Sequence, residues 1–408
     1  MSEDGNWNDA NREVVISVKK AGTLRLSLPE DYIYITSLTV SGNLDGTDLA
    51  FIRTMAGSDE YLNKTEGRLR NLDLSNAKFT DGGTYIIIGN TSYVSAYNVI
   101  PPYLFAYCDK LQTIVLPEGI SSIGKGAFYE CSALADVNIP DTIMEIGEYA
   151  FYKCSKLSSA IIIPQNVTKI SKATFYECSE LFDIYLPESI ECIDDYAFEY
   201  CTKLMSLGSL KNLMSVGKYS FAYCRNLRYF DIPVTMSTVP NGAFFSCVHL
   251  TEMDFSHVSM IGDYAFGACK KLEKVVFGQN LKYIGKYAFE LSGIKGNLIF
   301  PKTLNFIGGG AFLNTGIVRV DIYSDLKTTD DDTLTKGAFG NCNELLELVV
   351  HEGVKTLGVA FESCGKLTLV SLPESLENIG YGDDIFVHGG YIFSYCTALD
   401  NIEIPSSV

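Results

Sequence analysis

Twelve cysteines and four histidines in a 408-residue chain are the residues whose chemistry has to be settled first. Scattered cysteines would suggest a disulfide framework, and Cys/His groups a zinc site. The spacing argues against both. Cys108, Cys131, Cys154, Cys178, Cys201, Cys224, Cys247, Cys269, Cys342, Cys364 and Cys396 each stand three residues after a phenylalanine, and Cys192 alone lies elsewhere. A position filled once per structural repeat forms a ladder whose side chains run parallel. Parallel Cβ vectors reach disulfide distance but point the wrong way. Ser292 and Thr315 take the same position in two repeats, which fits a small, weakly polar, buried site better than a metal ligand. Reduced structural thiols are therefore expected, with no metal.

The other reactive residues carry little. His249, His257, His351 and His388 make no H-E-x-x-H, and no Ser or Cys stands at a triad spacing from them. His351 follows a strand pattern and is expected to end it in solvent. Gly308-Gly309-Gly310 belongs to a turn rather than a phosphate loop. Asp330, Asp331 and Asp332 form an acidic run without the spaced oxygen ligands and glycine of a calcium loop. The expectation is a non-catalytic chain without a cofactor.

The phenylalanines that set the cysteine spacing explain the architecture. Phe105, Phe128, Phe151, Phe175, Phe198, Phe221, Phe244, Phe266, Phe289 and Phe312 follow at 22 to 24 residues, and Phe339, Phe361 and Phe393 continue after longer gaps. One unit reads Leu111, Ile114, Leu116, Pro117, Ile120, Ile123, Gly124, Ala127, Phe128, Cys131. Ile114-x-Leu116 has the period of a half-buried strand. Pro117 ends it, Ile120 and Ile123 return inward, Gly124 permits a turn, and Ala127-Phe128 fills the coil. Thirteen copies of about 23 residues mean a solenoid in which each coil touches its neighbours.

This unit resembles the BspA-like leucine-rich repeat surface proteins of Bacteroidetes type, over about 99–408. The resemblance implies a right-handed β/α superhelix, β-dominated, with short helical or 3-10 turns. It also implies export and attachment to host proteins or other cells. Met1 opens a polar stretch with no apolar signal core; if the chain is exported, as the resemblance implies, its signal is absent from the sequence given.

Residues 1–98 lie outside the repeat and are expected to cap it. Val14, Ile16 and Val18 read as a strand, and so do Leu24, Leu26 and Leu28 before Pro29. Thr47-Asp48 reads as the cap of a helix carrying Leu49, Ile52 and Met55. Leu69, Leu72 and Leu74 look like a degenerate repeat strand. The array, 99–408, has insertions near 324–336 and 380–391, expected as loops. Beyond Ile402-Glu403-Ile404-Pro405 the last coil is expected to lack a cap, leaving a monomer or weak end-to-end association.

Net charge of −17 with scattered lysines and arginines disfavours nucleic acid and anionic lipid. No stretch is apolar enough to span a bilayer. Twenty-five tyrosines, many flanking the repeat Phe, are expected to lean over the coil edge as spacers or as recognition surface. On the outward strand face, Phe182, Tyr185, Met205, Arg228, Tyr229 and Asp231 form the candidate ligand-binding patch. Phe128, Phe151, Phe175, Phe198 and Phe221, with Cys131, Cys154, Cys178, Cys201 and Cys224, form the structural ladder. The expected partner is a host or bacterial surface protein or a glycan, basic or neutral. The rival expectation is a spacer that displays other modules and has no ligand of its own.

Overall fold

The computed structural model describes residues 12–327, 337–380 and 392–408. The described chain is a β-solenoid of about 16 turns. It divides into two compact units, Met1–Ile190 with Leu207–Ser209, and Glu191–Ser206 with Leu210–Val408. The 328–336 and 381–391 stretches lie outside the described residues, and with them most of both expected insertions, the Asp330–Asp332 run and His388.

The first unit opens with β1 (Glu13–Val18), α1 (Leu24–Ser27), β2 (Ser37–Leu44) and α2 (Gly46–Met55). There follow β3 (Asn71–Asp73), β4 (Ala77–Phe79), β5 (Gly82–Ile88), β6 (Thr91–Ser95), β7 (Val99–Ile100) and β8 (Thr113–Val115). β1, β2, β3, β8 and Asp136–Val137 are successive strands of one parallel sheet. The repeat sheet thus begins upstream of the first marked coil. Leu69, Leu72 and Leu74 are buried around β3 as a repeat strand requires. β5 and β6 instead pair antiparallel.

Two local readings are corrected. Leu24–Ser27 is a single helical turn, not a strand, and Leu26 is exposed. The Asp48 carboxylate accepts from the amides of Gly22 and Leu24 at 2.7 and 2.8 Å, which turns the chain back before a strand can extend. The cap of α2 is Asp45, not Thr47-Asp48; Asp45 and Asp48 form a reciprocal capping box. Leu49, Ile52 and Met55 are buried on the face expected of them.

Within each coil the return path is a run of backbone i→i+3 bonds, such as Ala106 N to Tyr103 O and Cys108 N to Phe105 O. The residues two before and two after the repeat Phe adopt left-handed φ in the coils from Phe105 to Phe312, as in Tyr103 and Tyr107 around Phe105 or Tyr149 and Lys153 around Phe151. Alternating the sign of φ turns alternate amides to the same side. The amides of Tyr103, Phe105 and Tyr107 consequently donate to Lys125, Ala127 and Tyr129 of the next coil at 2.7–2.8 Å. Gly124 works differently from expectation, since its φ is not left-handed. A Cβ there would lie 2.7 Å from Pro102 N, so glycine is needed because adjacent coils touch.

That ladder has a direction, and its first coil lacks a donor. The carbonyls equivalent to those of Lys125, Ala127 and Tyr129 are those of Pro102, Leu104 and Ala106, one repeat earlier. They are capped by side chains from the N-terminal region. Tyr85 Oη donates to Pro102 O at 2.7 Å; Arg53 Nη1 donates to Leu104 O at 2.6 Å and Nη2 to Ala106 O at 3.2 Å. Arg53 is fully buried, one turn along α2 from Leu49, and its guanidinium also reaches Ser58 Oγ and Asp59 O.

The core is a column of rings. Phe105, Phe128, Phe151 and Phe175 stack at 5.2–5.5 Å in the first unit. In the second, the nine rings from Phe198 to Phe393 stack at 4.8–5.9 Å. None of the twelve cysteines is in a disulfide. The ladder thiols donate to the Phe carbonyl of the preceding coil, Cys131 to Phe105 O at 2.9 Å and Cys154 to Phe128 O at 3.2 Å among them. Ser292 breaks the series, with its hydroxyl buried and unpartnered. Burial pushes the thiols of Cys108, Cys131, Cys154, Cys224, Cys247 and Cys269 up, Cys108 to about 11, whereas hydrogen bonding with Cys364 holds Cys342 and Cys396 down.

Two outcomes follow from these contacts. Arg53→Met should lower unfolding free energy by about 3 kcal/mol or more, because each buried acceptor left unmet costs about 1–3 kcal/mol. Arg53→Lys should keep most of that loss, since an ammonium cannot reach both carbonyls as a fork does; denaturant midpoints measure both. In native chain, a thiol reagent should label half-exposed Cys192 first and the buried ladder only on unfolding.

Candidate functional site

The strand rows send alternate side chains out of the core, and those outward positions are where a partner can be met. In the first unit Ile161 and Ile184 point inward, while Ile162 and Tyr185 pair in register on the outer side. Ile162 is 65% exposed, Tyr185 56% and Phe182 39%. Val115, paired with Asp73 on the same sheet row, is also exposed. Asp136 is exposed on Asp136–Val137 and pairs with Thr113, and half-buried Asp183 directly precedes Ile184–Tyr185. None of these positions carries a lysine or arginine. Ile162 is absent from the sequence-based patch, although the Ile161-Ile162-Ile163 run carries the signal: alternation makes its middle member face outward.

Met205, Arg228, Tyr229 and Asp231 belong to the second unit, whereas Phe182 and Tyr185 belong to the first. Tyr229 and Asp231 are exposed, alternating with buried Phe230 and Ile232, and Arg228 and Met205 are exposed as well.

The flanking tyrosines are arranged otherwise than as loose edge rings. Tyr129, Tyr152 and Tyr176 stack at 4.7 Å, Tyr200 and Tyr223 at 4.4 Å, and Tyr264 and Tyr287 at 5.1 Å. Tyr107, Tyr149, Tyr196, Tyr200, Tyr219, Tyr223, Tyr264 and Tyr287 have φ between +54° and +62°. That conformation costs a bulky residue about 1–3 kcal/mol. Ring stacking returns about 0.5–1.5 kcal/mol per pair beyond area burial, and the inter-coil bond adds to it. Burial pushes the Tyr129 phenol up to about 12. Columns of this kind cover their own ring faces and offer edges and hydroxyls. Tyr185 and Tyr229 keep their faces open among the described residues.

A charged group on the strand face of the second unit was not visible in advance. Arg319 and Asp321, two apart on Gly316–Ile322, join through Nε–Oδ2 at 2.8 Å and Nη2–Oδ1 at 2.9 Å. Glu347 binds Arg319 Nη1 at 2.8 Å, and His351 Nε2 lies 2.9 Å from Asp321 Oδ1. The His351 ring stacks on Tyr323 at 3.8 Å, so it is held by neighbours rather than standing free in solvent. Hydrogen bonding from Arg319 holds the Asp321 carboxyl below its usual range. With every Asp321 oxygen occupied, this group is a cross-strand clamp. His249 and His257 bond to the Arg225 and Ile232 carbonyls at 2.7 and 3.0 Å. Among the described residues no group of three or more His, Cys, Asp or Glu is arranged to hold a metal ion. No helix among them is long and apolar enough to cross a membrane.

Glu199 is the titrating group that stands out. It follows Phe198 between Tyr196 and Tyr200, and burial pushes its carboxyl up to about 7, against 4.5 unperturbed. A folded value above the unfolded one favours the native state below pH 4.5, and this contribution is lost as pH rises through about 7. Glu199→Gln should therefore stabilise the chain at pH 8 by about 1 kcal/mol, after allowing for solvent screening of a half-buried group. The difference should vanish at pH 4, which paired unfolding curves would reveal.

The comparisons place this architecture. A search of the curated proteins finds no match. A leucine-rich repeat protein from Bacteroides ovatus is 29% identical in sequence and has a TM-score of 0.62, covering 72% of this chain and 75% of that one. A leucine rich cell surface protein from Faecalibacterium prausnitzii is 20% identical, with a TM-score of 0.37, over 70% of this chain and 85% of that one. The family profile of the BspA type leucine rich repeat region (6 copies) matches residues 98–228, 214–337, 259–386 and 333–408, well over half of the sequence. By that match the chain belongs to the BspA-type leucine-rich repeat family.

Proposed function

We propose that the chain is a surface-displayed, non-catalytic binding protein that engages a partner protein through the outward strand face of its repeats. The observation that carries this reading is the in-register pair of exposed Ile162 and Tyr185, beside Phe182. An unpartnered aliphatic and aromatic cluster on a regular sheet is the kind of anchor on which interface energy concentrates. The acidic positions nearest it, Asp183 before Tyr185 and Asp136 one coil away, favour a partner that brings basic side chains to an apolar centre. Met205, Arg228, Tyr229 and Asp231 provide a second group of contact residues on the second unit, with the aromatic, cationic and acidic chemistry expected of an adhesive surface. Membership in the BspA-type family supports export and display at the bacterial surface, with host or bacterial surface proteins as partners.

The test is binding of purified chain to a panel of immobilised matrix proteins, spanning basic and acidic members, at two salt concentrations. Ile162→Asn, Tyr185→Ala and Tyr229→Ala all change exposed residues, so folding should be retained. Saturable binding to basic members is expected, weakened by salt and reduced about tenfold or more by Ile162→Asn or Tyr185→Ala. Binding unaffected by all three variants would move the interface elsewhere. No binding to any member would favour a spacer without a ligand.

A further inference from the structure

A groove of about 300 Å³ lies in the first unit, under the 57–64 loop, at the start of the tyrosine column. That volume is at the lower end of small-ligand sites, which run from about 300 to 1,000 Å³. Its wall carries Lys64, Tyr107, Asp109, Glu130, Lys153 and Glu177, with the hydroxyl residues Ser132 and Ser155 between them. None of these residues belongs to the strand face or to the Phe and Cys ladders.

The charges in this groove do not close on one another. Lys64 stands 3.4 Å from Asp109, and Lys153 stands 4.0 and 3.9 Å from Glu130 and Glu177. Elsewhere on the exposed surface, Lys125–Glu148, Lys295–Glu273, Lys355–Glu377 and Lys366–Glu344 close to 2.7–2.9 Å. Ammonium and carboxylate groups at the longer separations keep hydrogen-bonding capacity for a third party. Asp109 Oδ1 is buried without a hydrogen bond, its nearest cation being Lys110 Nζ at 3.4 Å. Tyr107 heads the ring column: Tyr129 covers one side at a 58° tilt, and no ring covers the other among the described residues.

We propose that this groove is a saccharide-binding site, taking one or two sugar units of a neutral glycan. The interleaved charges select that class. A free anion would meet three carboxylates and a free cation two lysines, whereas a neutral polyol offers a donor and an acceptor at each hydroxyl. Sugar hydroxyls placed between Lys153 and its two glutamates satisfy all three, and the uncovered Tyr107 face takes the apolar C–H side of the ring. The site is independent of the Ile162–Tyr185 surface and of the partner proposed for it.

Calorimetric titration tests this, using cellobiose, lactose, mannobiose and N,N′-diacetylchitobiose, with a heparin disaccharide and spermidine as charged probes. Tyr107→Asn suits the left-handed φ of that position, and Glu130→Gln keeps the shape while removing the charge; unchanged melting temperatures establish that both fold. At least one neutral disaccharide should bind saturably and lose about tenfold in affinity in each variant, equivalent to about 1.4 kcal/mol. Tyr185→Ala should bind it as the parent does. Absence of binding by all four sugars, binding indifferent to both variants, or binding of the charged probes alone would overturn the proposal.

Discussion

Each coil is tied to the next by backbone hydrogen bonds that repeat every 23 residues or so, and the rest of the molecule follows from meeting that demand. To aim the amides of Tyr103, Phe105 and Tyr107 at one neighbour, the chain alternates the sign of φ and holds bulky residues in a conformation they otherwise avoid. The close approach excludes a side chain at Gly124, and the fixed register places phenylalanine over phenylalanine. It also brings each ladder thiol within reach of the preceding Phe carbonyl. A ladder with this polarity leaves acceptors bare at its first rung, where unsatisfied buried carbonyls are costly. Arg53 and Tyr85 answer that cost with side-chain donors, so the N-terminal region finishes the hydrogen-bond ladder as well as covering the apolar face.

This division of labour decides where binding can evolve. Inward positions and the turn columns are committed to the stack, and even the abundant tyrosines give most of their ring faces to one another. The freedom left is on the outward strand rows and in the groove beside the first coils. Tyr185 and Ile162 use the first kind of freedom, with open apolar surface among carboxylates. The groove charges use the second, their ion pairs standing at 3.4–4.0 Å rather than closing to hydrogen-bond length. The Arg319–Asp321–His351–Glu347 group, though on the same kind of face, is internally complete and serves to clamp neighbouring strands.

The periodic features were legible because they recur: one Phe and one small residue per coil define the solenoid, its core and the state of its cysteines. What escaped was aperiodic or distant. Leu24–Leu28 alternates like a strand, but the turn there is set by Asp48, whose grip on Gly22 and Leu24 leaves no local trace. Arg53 meets carbonyls 51 and 53 positions away, and nothing nearby marks it as more than a charged residue on an amphipathic helix. His351 likewise meets Asp321 across 30 residues. Ile162 was within reach of the sequence, hidden only by an apolar run that blurs which member faces out.

The central claim is that side chains of the N-terminal region complete the first rung, so that the first marked coil is as firmly held as those inside the array. Amide hydrogen exchange on the intact chain tests it directly, comparing Tyr103, Phe105 and Tyr107 with their counterparts Tyr149, Phe151 and Lys153. The account predicts protection of the two sets within about tenfold, as for parts of one cooperative unit. Exchange of the first set faster by about a thousandfold or more, as at a fraying end, would contradict it.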